Sequence, residues 1–280
     1  MKAGLSAFPV SLGIMDTTAL LSAAIQAARQ ACTVILDVYD TFSVEDVITK
    51  SDDSPLTQAD LQANAVIQAT LQDAFPDIPY LSEENKQVPY AERSSYDAFW
   101  MIDPLDGTKE FVKKNGEFTV NIALIQDGRP VLGVVAVPVT GAVYWASRGQ
   151  GAWLDPGDGS PRHLQAGHFS RRDSGLRLVA SRSHRDARTE SFMNDFHQPV
   201  IRSAGSSLKI LLLAAGEAEI YPRFAPTMEW DTAAADMVLQ EAGGRMINAE
   251  TGKPLQYNKP ELLNPHFIAY GRCSDCGGGA

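Results

Sequence analysis

Cysteine is scarce in this chain: it occurs three times in 280 residues, at Cys32, Cys273 and Cys276. So few cysteines argue against a disulfide framework and favour a reducing compartment. Cys273 and Cys276 form a single C-x-x-C, which lacks the second pair that a structural zinc site needs. Cys32 lies in an apolar helical stretch, and we expect it to be a buried thiol.

Positive charge is also in deficit. The chain has 24 Lys and Arg residues against 34 Asp and Glu residues, which gives a formal net charge of −10. A protein that binds nucleic acid non-specifically usually carries a basic surface, so we predict no nucleic-acid partner. An anionic small molecule would meet a repulsive mean field, and local cations or bound metal ions would have to hold it.

Long apolar runs are missing as well. No uninterrupted run reaches the roughly 18 residues that cross a membrane, and the first residues show no clear signal-peptide pattern. We therefore expect no integral membrane segment and a cytoplasmic location. Peripheral association with the inner membrane stays open at this point, and the sequence does not predict the oligomeric state.

The patterning predicts two halves of different type. Apolar residues at helical spacing predict helices over residues 19–40 and 56–74. β-branched segments at 118–126, 131–137 and 142–147, separated by short turns, predict an antiparallel meander. The stretch 149–167 is rich in Gly, Pro and Asp, and we expect it to be a surface excursion between the halves. The first half, residues 1–165, is therefore predicted to be α+β.

Helices and short strands alternate in the second half, residues 166–280, which predicts an α/β arrangement. We expect the two halves to form one compact catalytic unit. The predicted strands cover 176–181, 218–223 and 245–248, and the predicted helices cover 185–197, 206–216 and the segment that begins at Trp230 and ends at Gly243.

The most informative motif is W-M-I-D-P-L-D-G-T, residues 100–108. An apolar strand that ends in Asp103 and Asp106 places two carboxylates close to a free backbone carbonyl, and hard divalent cations prefer such oxygen ligands. The following turn offers the backbone N–H groups of Gly107 and Thr108 to an anion such as phosphate. A metal beside a phosphate indicates phosphoryl chemistry. Taken alone, the same D-P-x-D-G pattern also fits an ordinary turn.

Other acidic residues stand in unusual contexts. Asp60 lies at the start of a predicted helix, Glu83 and Glu84 follow an extended segment, and Asp231 follows Trp230 at another helix start. Asp60 and Asp231 could equally be helix caps, and the two glutamates could be solvated surface acids. Their spacing alone does not show that they converge.

These motifs together resemble a known family, the magnesium-dependent, lithium-sensitive phosphatases related to inositol monophosphatase. The resemblance covers residues 50–265 and rests on S-E-E at 82–84, W-x-I-D-P-x-D-G-T at 100–108 and W-D-x-A-A at 230–234, in that order. Within the family, the chain is most similar to the bacterial 3'(2'),5'-bisphosphate nucleotidases of the sulfur-assimilation type. The segments that carry this second likeness are 107–111, 115–124, 181–184, 205–209 and 221–224.

The resemblance implies a layered α/β/α/β/α sandwich that holds two or three magnesium ions. It implies hydrolysis by direct attack of a metal-activated water, without a covalent phospho-enzyme. Thr108 and Asp60 would orient that water and help to remove its proton, and Gly107 and Thr108 would hold phosphate oxygens. The implied metal ligands are Glu83, Asp103, the backbone carbonyl of Leu105, Asp106 and Asp231.

The likeness also implies a substrate, 3'-phosphoadenosine 5'-phosphate, which would be converted to AMP and phosphate. The second phosphate and the base would contact His184, Ser206, Lys209 and Arg223. The reacting phosphate would lie against Glu83, Leu105, Asp106, Gly107, Thr108 and Asp231. An inositol or sugar phosphate phosphatase with the same metals is the alternative within the family, and a non-catalytic magnesium- and nucleotide-binding protein is the alternative outside it.

Overall fold

The computed structural model describes residues 16–43, 48–49, 55–180 and 187–276. The helices are α1 Thr17–Thr41, α2 Gln58–Ala74, α3 Tyr90–Arg93, α4 Thr108–Val112, α5 Ala187–Asn194, α6 Leu208–Ala214 and α7 Ala233–Glu241. The strands of the first half are β1 Ile48–Thr49, β2 Pro55–Leu56, β3 Tyr80–Ser82, β4 Ala98–Asp106, β5 Thr119–Gln126, β6 Arg129–Val137, β7 Ala142–Ser147, β8 Ala152–Asp155 and β9 Arg162–Leu164. The strands of the second half are β10 His168–Phe169, β11 Arg177–Ala180, β12 Val200–Ser203, β13 Ile220–Arg223, β14 Arg245–Asn248, β15 Phe267–Tyr270 and β16 Arg272–Cys273.

Two sheets and three helical layers alternate through the described ranges. The larger sheet runs β3-β4-β5-β6-β7-β8-β9, and the smaller runs β12-β11-β13-β15-β14. Helices α1 and α2 pack on the outer face of the larger sheet. Helices α6 and α7 lie between the sheets, and α5 covers the far face of the smaller one. This order confirms the predicted α/β/α/β/α sandwich.

Helix α1 begins where Asp16 accepts a hydrogen bond from the backbone N–H of Thr18 at 2.9 Å, as a polar N-cap should. By length and composition alone, α1 is apolar enough to cross a membrane. The buried core helix of a globular protein passes the same test. Here the small side chains of Ala24, Ala27 and Ala28 are fully buried against α2 and the larger sheet.

The close approach of α7 to the larger sheet depends on one glycine of β6. A β-carbon at Gly133 would collide with the backbone oxygen of Ala234 and would lie 2.9 Å from the β-carbon of Met237. Neither neighbour is the end of a flexible chain. Helix α7 therefore rests directly on the strand, and only glycine leaves room for it.

Two predictions of the sequence analysis need correction here. The stretch 149–167 is not a surface excursion, because β8 and β9 lie within it and extend the larger sheet. Its turn residues form only the connection between those strands, where Asp155 accepts hydrogen bonds from the N–H groups of Gly157 at 2.9 Å and Gly159 at 3.0 Å. Asp155 also pairs with Arg29 of α1 at 2.5 Å.

The second correction concerns the cysteines at the carboxyl end. Cys273 and Cys276 form a disulfide, with 5.6 Å between their α-carbons. Cys273 belongs to β16, which pairs in parallel with β10, and Cys276 is buried against the core of the smaller sheet. The scarcity of cysteine had argued against a disulfide framework, and strand β16, with two residues, is too short to be recognised from the sequence. Cys32 is only partly buried, less than the buried thiol that was predicted, and burial raises the pKa of its thiol to about 12.

Candidate active site

Strand β4 delivers two of the predicted ligands through a bulge. Asp103 lies opposite Asn121 of β5, whereas Asp106 lies opposite Thr119, so three steps on β4 match two on β5. Residues three apart on a regular strand point to opposite faces. The bulge between Asp103 and Asp106 redirects the side chain that follows it, so that both carboxylates point to the same face of the sheet.

Glu83 reaches the same point from the neighbouring strand. Strand β3 runs parallel to β4, with Ser82 opposite Ile102, and the N–H of Glu83 donates to the carbonyl of Ile102 at 3.1 Å. Glu83 therefore emerges from the sheet at the level of Asp103.

Asp231 comes from the other half of the chain. It ends the 3-10 turn Glu229–Asp231, and its Oδ2 accepts the N–H of Met228 at 2.8 Å. The side-chain amide of Asn264 donates to the carbonyl of Met228 at 2.7 Å and to the hydroxyl of Thr232 at 3.1 Å. These bonds fix the turn on both sides of Asp231.

Glu83, Asp103 and Asp231 converge on one point. Each offers one oxygen, and these oxygens all lie within 4.8 Å of one another. Asp103 is 1% exposed, and burial followed by the nearby charge of Glu83 raises its pKa well above the usual range. Burial, and then the charge of Asp106, has the same effect on the pKa of Asp231. One of these carboxylates is buried and two are half-buried; a cation would offset their mutual repulsion, and an all-oxygen donor set fits a hard divalent ion.

Asp106 stands beside this cluster, outside the group of three. Its Oδ2 accepts the backbone N–H of Ser207 at 2.6 Å and faces the amide nitrogen of Asn121 at 3.5 Å. Burial raises its pKa, while the charge of Lys209 and the N–H of Ser207 lower it. The carbonyl of Leu105 lies 3.4 Å from the hydroxyl of Thr108. Oδ1 of Asp106 and the carbonyl oxygen of Leu105 are therefore two oxygen atoms that could bind a second ion.

A cavity of about 360 Å³ opens next to Asp106 and Asp231. It brings together residues from both halves of the chain. Its lining comprises Asp106, Gly107, Lys109, Glu110, Lys113, Ser206, Ser207, Lys209, Ile210, Tyr221, Arg223, Thr227, Asp231, Thr232 and Phe267. The predicted substrate residues Ser206, Lys209 and Arg223 all belong to this set, whereas His184 lies outside the described residues.

Contacts with backbone carbonyls position two cationic side chains of the cavity, Lys209 and Arg223. Lys209 is 8% exposed. Its ammonium group lies 3.4 Å from the carbonyl of Ala204 and 5.8 Å from the ring centre of Tyr221. Burial lowers the pKa of Lys209 to about 8, and the charge of Asp106 opposes that shift. The guanidinium of Arg223 donates to the carbonyls of Ala225 at 3.2 Å and Pro226 at 3.0 Å.

Sequence reasoning missed several residues of the site. Thr119, Asn121 and Ser207 form a buried hydrogen-bonded group behind Asp106, and we had assigned them no role. A usable signal was present, since Thr119 and Asn121 are two apart in a strand and so share one face. Tyr221 and Lys113 also line the cavity. Tyr221 stands in the segment 221–224 that carries the likeness, but we had assigned no role to either residue.

Comparisons with known proteins agree with this geometry. The model of the inositol monophosphatase family matches residues 16–272. The chain belongs to the inositol monophosphatase family. Members are metal-dependent phosphatases, generally with Mg²⁺, and act on small phosphorylated molecules.

The relatives also place the chain within the family. It is 44% identical over 250 residues to the 3'(2'),5'-bisphosphate nucleotidase CysQ of Escherichia coli K12, covering 89% of this chain and 98% of that protein. The crystal structure of CysQ from Bacteroides thetaiotaomicron superposes with a TM-score of 0.80 at 41% identity, covering 92% of this chain and 98% of that one. The inositol monophosphatase TM1415 of Thermotoga maritima shares the fold, with a TM-score of 0.74 at 23% identity over 90% of this chain and 92% of that one.

Proposed function

We propose that the protein is a magnesium-dependent 3'(2'),5'-bisphosphate nucleotidase that hydrolyses 3'-phosphoadenosine 5'-phosphate to AMP and phosphate. The observation that carries the proposal is the position of Lys209. This buried cation lies in the wall of a cavity that adjoins Asp106 and Asp231. The likeness to CysQ nucleotidases over most of the chain supports the same substrate.

The donor set indicates where the ions would bind. Glu83, Asp103 and Asp231 would hold one ion, and Asp103, Asp106, Asp231 and the carbonyl of Leu105 would hold a second. A third ion near Glu83 is part of the proposal. When bound, magnesium would make water more acidic and neutralise charge on the phosphate oxygens.

The protein groups have separate tasks in this scheme. Thr108 would orient the attacking water, and Asp60 would accept its proton through the Thr108 hydroxyl. The N–H groups of Gly107 and Thr108, at the start of α4, would hold phosphate oxygens. A bond forms between water oxygen and phosphorus, the bond to the 3' oxygen breaks, and that oxygen takes a proton.

Charge explains how an acidic protein could hold a substrate with two phosphates. The cavity presents Lys109, Lys113, Lys209 and Arg223 around a space that adjoins the carboxylates. These cations oppose the repulsion expected from a formal net charge of −10. The buried Lys209 interacts most strongly, because a charge removed from water is less screened. We also propose that the enzyme acts in the cytoplasm.

The test is phosphate release from three substrates in parallel: 3'-phosphoadenosine 5'-phosphate, inositol 1-phosphate and fructose 1,6-bisphosphate. Each would be assayed with magnesium, with EDTA, and with magnesium plus lithium. We expect magnesium-dependent turnover with a strong preference for the nucleotide. Preference for the inositol or sugar phosphate would keep the metal site and overturn the roles of Ser206, Lys209 and Arg223.

A further inference from the structure

Strand β3 ends in a tight turn that carries Glu83. The backbone N–H of Asn85 donates to the carbonyl of Ser82 at 3.3 Å, so these two residues are the ends of a four-residue β-turn with Glu83 and Glu84 at its centre. Among the described strands, β3 is the edge of the larger sheet. Strand β4 therefore supports the turn from one side, through the bond from the N–H of Glu83 to the carbonyl of Ile102.

The second support of this turn is Asn64 of α2, which bonds to both of its ends. The Ser82 hydroxyl donates to Oδ1 of Asn64 at 2.7 Å, and Nδ2 of Asn64 donates to Oδ1 of Asn85 at 2.6 Å. Ser82 is fully buried, whereas Asn64 and Asn85 are half-buried. A single side chain thus joins α2 to the first and the last residue of the turn.

Two further hydrogen bonds complete the network around the turn. Nδ2 of Asn85 donates to the hydroxyl of Tyr80 at 2.9 Å, and Nε2 of Gln87 donates to the carbonyl of Ser82 at 3.2 Å. The hydroxyls of Tyr80 and Ser82 can each donate or accept. The link between Asn64 and the turn would therefore persist if the amides of Asn64 and Asn85 were rotated together.

Helix α2 also carries Asp60, one turn before Asn64. The two residues are four apart, so their side chains share one face of the helix. Asp60 accepts the hydroxyl of Thr108 at 3.2 Å, and Asn64 bonds to the turn of Glu83. Ala63 of the same helical turn is fully buried against the larger sheet. This segment of α2 therefore fixes the position of Asp60 relative to the turn that carries Glu83.

We propose that Asn64 is a positioning residue that holds the carboxylate of Glu83 in the metal site. Glu83 is half-buried, and it offers an oxygen within 4.8 Å of those from Asp103 and Asp231. Ordering such a side chain and its turn on ion binding costs conformational entropy. Asn64 reduces that loss because it fixes the turn before the ion binds. The inference rests on the proposed function, since it takes Glu83 as a magnesium ligand.

The test uses Asn64→Leu, which keeps the branched arrangement of heavy atoms but removes both bonds to the turn. Titration calorimetry of the full chain with magnesium chloride alone measures the Kd of the ion. We expect this Kd to rise about tenfold, at the lower end of the 10- to 100-fold effect of groups that orient a metal ligand, because Asn64 acts through the turn. The magnesium concentration for half-maximal phosphate release should rise by the same factor. KM for the nucleotide at saturating magnesium should stay close to that of the wild type.

Thr70→Val is the matched control on the same helix. Thr70 is also half-buried, and its hydroxyl donates to Oε1 of Gln30 on α1 at 2.6 Å. The control therefore also removes a hydrogen bond between α2 and a neighbouring element, but on the side away from Glu83. It should leave the Kd for magnesium unchanged. An unchanged Kd in Asn64→Leu, or an equal rise in both variants, would overturn the positioning role.

Asn85→Ala provides the same test from the turn if Asn64→Leu does not fold. It removes the bonds to Asn64 and Tyr80, and it should also raise the Kd for magnesium. A folded Asn85→Ala protein with the Kd of the wild type would overturn the proposal. A wild-type protein that binds no magnesium would instead contradict the metal site of the proposed function, so the two failures are distinguishable.

Discussion

The hydroxyl of Thr108 donates a hydrogen bond to Oδ1 of Asp60 at 3.2 Å, across 48 residues of sequence. The other oxygen of Asp60 accepts from Thr57 twice, from its N–H at 2.8 Å and from its hydroxyl at 2.6 Å. Asp60 thus completes the capping box of α2, whose N-cap is Thr57, and is also the partner of Thr108. The two interpretations that the sequence left open are compatible, because each uses a different carboxylate oxygen.

Thr108→Val should disable the reaction without unfolding the protein. Valine keeps the shape of threonine but cannot pass a proton toward Asp60, and general base catalysis contributes about 10²- to 10⁴-fold. We therefore expect kcat to fall within that range, while the melting temperature changes little. Thr108→Ser is the matched control and should retain most of the activity. Comparable rates for Thr108→Val and Thr108→Ser would remove the hydroxyl from the mechanism.

Asp103→Asn should abolish turnover and also change stability in a metal-dependent way. The buried charge of Asp103 is opposed by Glu83 and Asp106, as its raised pKa indicates. We expect kcat to fall by more than about a hundredfold, since even groups that only support a ligand contribute 10- to 100-fold. In EDTA the variant should melt at least as high as the wild type.

Thermal unfolding with and without magnesium provides the second measurement for Asp103. Magnesium should raise the melting temperature of the wild type and have much less effect on Asp103→Asn, because a ligand stabilises only the state that binds it. Asp97→Asn, at an exposed aspartate, should behave like the wild type in both conditions. An equal magnesium effect on both proteins would exclude Asp103 as a ligand.

Lys209→Ala should weaken binding of the bisphosphate more than binding of a monophosphate. Its buried ammonium group faces the cavity, and a hydrogen bond to a charged group contributes about 1.5–3 kcal/mol, or roughly ten- to a hundredfold. We expect KM for 3'-phosphoadenosine 5'-phosphate to rise by that factor, and KM for inositol 1-phosphate to rise much less. Steady-state kinetics with both classes give the comparison, with Lys253→Ala, at an exposed lysine, as the control. The same rise for both classes would contradict the role of Lys209 in binding the second phosphate.

Asp236 should make the fold less stable as the pH rises. It is buried in α7 and accepts a hydrogen bond from the hydroxyl of Tyr257 at 2.8 Å. Burial raises its pKa from 3.8 to about 6. The folded state therefore favours the protonated form. The stabilisation is complete below pH about 4, and it is lost between pH about 4 and 6 because the unfolded state releases its proton first.

Asp236→Asn removes this dependence. Two pKa units correspond to about 3 kcal/mol, so the variant should gain up to that much unfolding free energy over the wild type at pH 8. The gain should shrink as the pH is lowered toward 4. Urea unfolding at pH 5 and pH 8 measures the difference, and Asp77→Asn, at an exposed aspartate, should change little at either pH. A gain that is the same at both pH values would refute the assignment.

The sequence predicted most of the elements because their periods are regular. The meander of β5, β6 and β7 was placed to within two residues, since β-branched alternation and short turns agree over three consecutive strands. Strands β8 and β9 were missed because four of the six residues between them are Gly or Pro, and those residues dominated the composition of the whole stretch. Strand β16 has two residues, too few to show any period.

The residues of the site also divide into those that local sequence predicts and those that it does not. Asp103 and Asp106 stand in one short motif, so their neighbourhood could be predicted from local sequence. The contact between Ser207 and Asp106 spans 101 residues and depends on how the two sheets pack around α6 and α7. Local patterns carry no information about that packing. The hydrogen-bonded group behind Asp106 therefore emerges only from the folded structure.

Gly133 controls how closely Asp231 approaches Asp103 and Glu83, which are proposed metal ligands. Asp231 lies three residues before Ala234, whose carbonyl rests on Gly133, while Asp103 belongs to a strand of the same sheet. A methyl group at position 133 would push α7 away from the larger sheet. Asp231 would then move away from Asp103 and Glu83. A substitution in the middle of a buried strand, remote from every phosphate contact, would then weaken metal affinity. The absence of one carbon atom would then set the spacing between proposed metal ligands that come from opposite halves of the chain.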